Sequence, residues 1–329
     1  MTAETGIKNI RHHSVKKENS NLRQPEVVSI TEGMLRWTDI AFPSQKEMQY
    51  LEETYHFHHL SLEDSLSRTQ LSKVDDYGNY LFLVLHFPKT TSDERVIRSS
   101  SLSAFIGDNF VITIHDELKP LSELFAMCQA DEEVRKQVTR DGAGYLTYQI
   151  IDKLVDYCFT VLDKLLIRMD DIEDTVFDET GNDTQEIAVL RRDIIALRRI
   201  FWPLRSVINE LKERIHHVTH KDLVIYFDSV IDHVGKIWET LEESKEVIEV
   251  FKDSDFVLVS SRLNRIVQTL TIISAVFLPF VVVASIYGMN VNLPGGIESG
   301  SLASFGILLG VMFIISGGML YFFRRRRWI

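Results

Sequence analysis

Leu270-Thr271-Ile272-Ile273-Ser274-Ala275-Val276-Phe277-Leu278-Pro279-Phe280-Val281-Val282-Val283-Ala284-Ser285-Ile286 is the stretch on which the reading of this chain turns, and Tyr287-Gly288-Met289-Asn290 follows it at once. The run holds no charge, and with the polar turn before it, it matches the roughly 20 helical residues that a hydrocarbon core takes to cross. A second apolar run, Leu302 to Phe323, ends in Arg324, Arg325, Arg326 and Arg327. Between them, residues 288–301 carry one acid, Glu298, no base, and the helix-breaking Pro294-Gly295-Gly296. Such a link cannot lie in lipid, where each unpaired backbone group costs several kcal/mol. The two runs therefore predict a membrane hairpin. Arg262 and Arg265 precede the first run and the arginines follow the second, so the excess of base on one side places both termini in the cytoplasm of a cell-membrane protein.

Working outward from the first run, residues taken three and four apart read Asn264, Val267, Thr271, Ser274, Leu278, Val281, Ser285 and Gly288. This stripe collects most of the polar side chains of the segment. A polar stripe on a lipid-crossing helix needs a neighbouring helix or water. Helix packing accounts for Ser and Thr; the carboxamides Asn264 and Asn290 at the two ends favour a pore.

The 329 residues leave a soluble part large enough for a sizeable core, and 45% hydrophobic content is ordinary. The net charge is -11 despite the basic tail, so the soluble part is acidic, which argues against nucleic acid and fits a surface that attracts cations. Cys128 and Cys158 form no close-spaced metal or redox pair and read as packing residues. Met1 to Arg23 is polar and lacks the apolar core of a signal peptide. No glycine-rich phosphate loop, nucleophile elbow or zinc-protease helix is present, so an enzyme is not expected.

Residues 1–25 read as a mobile polar tail. An α/β domain follows over 26–125. Val27 to Ile30, Leu35 to Ile40 and Tyr80 to Phe87 have strand character, and Leu102 to Ile106 pairs with Phe110 to Ile114 across Gly107-Asp108-Asn109 as a hairpin. Ser44-Gln45-Lys46-Glu47 is a capping box that opens a helix to about His56. The sheet is expected to be mainly antiparallel or mixed. Long helices occupy 126–221: one over Tyr145 to Phe177, a turn at Gly181-Asn182, and one over Thr184 to Arg214 that Pro203 should kink. Residues 222–287 form a stalk helix continuing into the first span, about 66 residues and about 100 Å long at 1.5 Å per residue. A loop at 288–301, the second span at 302–323 and a basic tail at 324–329 complete the chain. The fold class is thus an α+β cytoplasmic domain with long helices, followed by a two-helix transmembrane hairpin. A helix of the stalk's length needs partners along its apolar stripe, which self-association supplies.

Asn264, Leu270-Thr271-Ile272-Ile273, Phe277-Leu278-Pro279 and Ile286-Tyr287-Gly288-Met289-Asn290 resemble the signature of the CorA family of divalent-cation channels, whose mark is Gly-Met-Asn after the first span. Trp37-Thr38-Asp39, His58-His59-Leu60-Ser61-Leu62-Glu63-Asp64, Lys73 with Tyr80-Leu81-Phe82, Asp152 with Asp156, and Leu197 to Arg205 extend the likeness through most of the chain, with His59 where the family usually has Pro. The resemblance implies a homo-oligomer, a pentamer, with the first span inside and the second outside. It implies that Gly288, Met289 and Asn290 form the selectivity filter, and that Asn264, Val267, Leu270, Thr271, Ser274, Leu278, Val281 and Ser285 line the pore. It also gives Glu63, Asp64 and Asp152 a place in regulatory metal sites, Glu63 and Asp64 reading alternatively as an acid pair at a helix N-terminus. Ser229 stands where the family has the acid that completes the intersubunit site, and Asp228 or Asp232 would have to substitute.

The implied partners are copies of the chain, the bilayer and divalent cations, with no cofactor beyond the ion. Mg2+ sheds water reluctantly, so a ring of carbonyl and carboxamide oxygens would hold the hydrated ion by its waters. Leu278 and Val281 would form a dewettable constriction. The continuation Val291-Asn292-Leu293-Pro294-Gly295-Gly296 is somewhat similar to the zinc-transporting branch, which makes Zn2+, Co2+ or Ni2+, with proton coupling, the alternative cargo. The span and loop hold no imidazole or thiolate, and this favours Mg2+. A membrane-anchored sensor is the remaining alternative.

Overall fold

The computed structural model describes residues 27–67, 70–90, 97–116, 118–176, 184–289 and 302–326. The expected tail, the 181–182 turn, Asn290, the 291–301 loop and Arg327 lie outside the described residues. Two compact units result: one from the residues up to Asp170 together with Ala188–Glu246, the other from Asp171–Ile187 and Val247 onward.

The first unit contains a six-stranded sheet of β1 (Val28–Glu32), β2 (Leu35–Ala41), β3 (Lys73–Asp76), β4 (Leu81–Thr90), β5 (Ile97–Ile106) and β6 (Phe110–His115). The strands lie in the order β1-β2-β6-β5-β4-β3, and only the β2–β6 pair is parallel. The sheet is mixed, as expected. At the β5–β6 hairpin the Gly107 N–H donates to the Phe110 carbonyl, and the Phe110 ring occupies the space that a side chain at 107 would need.

The sheet is covered on both faces, which is why Leu81 to Leu85 reads as a continuous apolar run and not as an alternation. On one face, Ile40, Phe82, Val84, Phe105, Ile112 and Ile114 pack with Met48 and Leu51 of α1 (Gln45–Tyr55), Phe57, and Leu62 of α2 (His59–Leu66). The Ser44 capping box forms as read, and His56 ends α1 in the left-handed conformation. On the other face, Trp37 meets Phe125 of α3 (Lys119–Ala130) edge to face, with centroids 4.9 Å apart.

Helix α2 corrects one expectation. It starts at His59, with His58 Nδ1 accepting the Leu60 N–H, so Glu63 and Asp64 lie beyond its first turn and gain nothing from the N-terminal dipole. No apolar periodicity announced so short a helix; it is set by the His58 cap and by burial of Leu62.

After α4 (Glu132–Thr139), three long helices follow: α5 (Ala143–Val176), α6 (Thr184–Thr219) and α7 (Val224–Tyr287). Helix α6 passes through Pro203 without ending and runs on to Thr219, where His220, a non-glycine residue at φ 53°, turns the chain out. Within the first unit, Arg168 of α5 reaches the buried Asp193 of α6 at 2.9 Å, and Lys212 of α6 reaches Asp228 of α7 at 2.8 Å. On α7 the fully buried Phe227, Val230, Val234, Ile237 and Leu241 recur at spacings of three and four.

A polar chain runs through the sheet. The indole N–H of Trp37 donates to Thr113 Oγ1 (3.1 Å), and the Thr113 hydroxyl donates to Asp39 Oδ1 (2.5 Å). His115 Nδ1 accepts the Leu118 N–H, which leaves Nε2 to donate to Asp39 (3.3 Å). Removing the carboxylate takes the acceptor from two buried donors, the Thr113 hydroxyl and the His115 Nε2–H. Asp39→Ala is therefore expected to destabilise the protein by about 2–3 kcal/mol, more than Ser29→Ala at the strand surface. Denaturant unfolding of both variants decides this, and equal stability would refute it.

Candidate ion path and cytoplasmic metal ligands

Helix α7 is long and apolar enough to cross a membrane. Beyond Phe251, Ile272 is its one buried residue among those described, while Leu263, Ile266, Leu270, Ile273, Phe277, Leu278, Val281, Val282 and Ile286 are all exposed. So much apolar surface is incompatible with water and requires lipid or another chain. Helix α8 (Leu302–Arg325) carries no charge before Arg324.

Within the second unit the two helices meet through a defined face. The Ser316 hydroxyl of α8 donates to the Val276 carbonyl of α7 at 3.3 Å, Phe280 meets Phe313 edge to face at 5.9 Å, and Ile272, Met312 and Ser316 are buried. Asn264, Val267, Leu270, Thr271, Ser274, Leu278, Val281 and Ser285 are all exposed. The polar stripe of α7 is therefore not the face that packs on α8. The Thr271 hydroxyl bonds back to the Val267 carbonyl, which satisfies it within the helix. Gly306 and Gly310 of α8, a close-packing pattern in sequence, pack on nothing among the described residues: outside the helix's own backbone, a Cβ on either would have none of their atoms within 4 Å. Gly288 differs, since a Cβ there would lie 3.0 Å from the Ala284 carbonyl oxygen, and its N–H donates to that oxygen at 2.8 Å. Met289 continues the turn by donating to Ile286.

The five acids singled out in the soluble part do not converge. Glu63 is exposed. Asp64 accepts from Gln70 and, at 2.7 Å, from Lys73, which also reaches Asp75 at 2.6 Å. Burial pulls the Lys73 ammonium down, but its hydrogen bonds to Asp64 and Asp75 outweigh this and its pKa lies above the ordinary value. Asp228 is held by Lys212, and Asp232 and Ser229 are exposed.

Asp152 alone of the five lies in a cluster of metal-ligating groups among the described residues. Its partners are Asp156, one turn on along α5, and His233 of α7, with one ligand atom from each within 4.8 Å of the others. The Tyr148 hydroxyl donates to Asp152 at 3.5 Å. Burial and the Asp156 charge raise the Asp152 pKa, against the opposing pull of His233 and Tyr148. Tyr148 itself is pushed up to about 12, first by burial and then by Asp152. The four-residue spacing of the two acids was visible in the sequence; His233 lies far along the chain and only the folding of α7 beside α5 supplies it.

Residues 32–325 match the family described as CorA-like Mg2+ transporter protein. The chain belongs to this family. It is 30% identical over 296 residues to YfjQ of Bacillus subtilis, a candidate metal-ion transporter, with 89% of each chain covered. It is 29% identical over 287 residues to the cobalt/magnesium transport protein CorA of Thermotoga maritima, covering 86% of this chain and 80% of that one. The complete CorA magnesium transporter of Methanocaldococcus jannaschii superposes with a TM-score of 0.78 at 22% identity, covering 92% and 94% of the two chains. This CorA-family chain is accordingly a divalent metal-ion transporter, and its relatives are transporters and not enzymes.

The separation of the two faces of α7 has a direct consequence. Introduced singly, Ser274→Cys in the assembled CorA-like protein should react with a small water-soluble thiol reagent, and Ile272→Cys, buried against α8, should not. The native Cys128 and Cys158 are buried and give little background. Equal labelling at 272 and 274 would contradict the assignment of faces.

Proposed function

We propose that the chain assembles into a homo-oligomer, a pentamer by likeness to its family, that conducts divalent cations, Mg2+ foremost, along α7. The observation that carries this reading is the polar stripe of α7, exposed and clear of the α8-packing face. Copies arranged around an axis would turn that stripe inward to water and leave the more apolar α8 to the lipid. The basic residues beside both spans put the two termini in the cytoplasm and the Gly288-Met289-Asn290 turn outside.

The chemistry at the mouth follows from the ion. An Asn290 carboxamide from each copy, with the Gly288 and Met289 carbonyls, forms a neutral oxygen ring that binds the waters of hydrated Mg2+ without stripping them. No fixed charge is needed there, because an inside-negative potential contributes about 2.3 kcal/mol per charge per 100 mV, twice that for a divalent ion. Leu278 and Val281 close the path by dewetting when the helices draw together, and Asn264 receives the ion at the cytoplasmic end.

Cation uptake into vesicles containing the purified protein tests the filter. Asn290→Ala and Asn290→Leu should abolish selective Mg2+ uptake while assembly persists, and Asn290→Asp should bind cations more tightly and discriminate less. Near wild-type flux in Asn290→Gly would reduce Asn290 to a helix cap and remove the filter. A second cargo, Co2+ or Zn2+, is favoured by the 291–296 continuation and by the cobalt in the name of the Thermotoga maritima relative. Uptake under competition between Mg2+, Co2+ and Zn2+ separates the two readings.

Control by cytoplasmic Mg2+ through Asp64 should be weak, since Lys73 holds its carboxylate and Ser229 offers no charge. A partly buried ion pair open to solvent at Lys73 contributes about 1 kcal/mol, so Asp64→Ala should move the Mg2+ concentration for half-inhibition of uptake by less than about fivefold. Loss of uptake at low internal Mg2+ would assign Asp64 another part.

A further inference from the structure

Helices α1 and α2 leave an open groove between them that the ion path does not use. Met48, Leu62 and Leu66 give it an apolar floor, and Gln49, Glu52 and Glu63 stand on its rim. Both acids are exposed and neither meets a cation among the described residues; the one base among those that line the groove is His59. We propose that this groove is the docking site of an N-terminal segment of the same chain, residues 7–17.

Three observations converge on that occupant. First, the described chain begins beside the groove. Val27 packs against the core that contains Met48 and Leu62, on the sheet face that α1 and α2 cover. Val28 is in register with Asp39, near the end of β2 and close to the link into α1. Second, the segment reaches. Nine residues, 18–26, separate it from Val27 and span up to about 30 Å when extended. Helix α1, with 11 residues, is only about 16 Å long. A tethered segment faces its site at an effective concentration on the order of millimolar, so a weak contact suffices.

Third, the chemistries match. Residues 7–17 hold four Lys or Arg, no Asp or Glu, and the aliphatic Ile7, Ile10 and Val15. That is the complement of an apolar floor edged by two carboxylates, and it stands apart from a chain whose net charge is -11. An anionic partner would be repelled by Glu52 and Glu63. Because the pairs formed are open to solvent, ionic strength controls the cover: at about 1 M salt the Debye length is only about 3 Å.

The test uses the full-length chain in detergent at low salt, with Ser14→Cys in the segment, Gln49→Cys on the rim and a short bismaleimide as cross-linker. The native Cys128 and Cys158 are buried. A link within one chain, read by mass on a denaturing gel, should form at least about tenfold faster than with Ser14→Cys and Ser122→Cys, the latter exposed on α3 across the sheet. About 1 M NaCl should slow it roughly fivefold, and Glu52→Lys with Glu63→Lys, both at exposed positions, should do the same. Adding Lys8→Glu, Arg11→Glu, Lys16→Glu and Lys17→Glu to that pair should restore the rate. Equal rates at 49 and 122, indifference to charge and salt, or a product with the mass of two chains would overturn the proposal, the last by seating the segment on a neighbouring copy. Ion uptake is not a readout, so this outcome and that of the pore are independent.

Discussion

A helix that enters lipid must satisfy every backbone group within itself, and this constraint shapes the C-terminal part of the chain. Helix α7 follows it over most of its 64 residues up to the turn at Gly288, the exception being Pro279, which has no N–H to give the Ala275 carbonyl. Side-chain hydroxyls follow the same rule: Thr269 and Thr271 bond back to the carbonyls four residues earlier and Ser316 reaches the facing helix. One helix thus passes from a buried heptad-like stripe, Phe227 to Leu241, to a length of exposed apolar surface.

That single element runs from Val224 to Tyr287. Gly235 lies inside it with open space where a side chain would go, so it marks neither a close contact nor a bend. The ion pairs Arg168–Asp193 and Lys212–Asp228 hold α5, α6 and α7 in register within the first unit. The half-exposed Lys212–Asp228 pair adds little stability by itself. The Arg168–Asp193 pair is different, because its carboxylate is almost fully buried and loss of Arg168 would leave it only the longer contact to Arg192 at 3.4 Å.

The soluble sheet rests on a related demand. Its two covered faces bury Trp37, Thr113, Asp39 and His115 together, and each donor finds an acceptor in that chain. The Trp37-Thr38-Asp39 likeness to the CorA family is thereby explained by packing and hydrogen bonding within the sheet. Asp64 and Lys73, also part of the likeness, meet each other across nine residues.

Period and composition alone determined much of this protein. The apolar runs, the arginines flanking them, the capping box at Ser44 and the hairpin at Gly107 are local signals, because each depends on residues within a few turns or one strand pair. What ends α6 at His220 was not legible, since a non-glycine residue adopts the left-handed conformation there under tertiary constraint. Nor was the start of α2, which is set by a histidine cap. The polar stripe could be read from spacing, but that it turns away from α8 depended on which face Ile272, Phe280 and Ser316 bury. The meeting of Asp152 and Asp156 with His233 was decided only by tertiary structure: chelation needs ligands a few ångströms apart, and residues so distant along the chain come that close only when α5 and α7 pack.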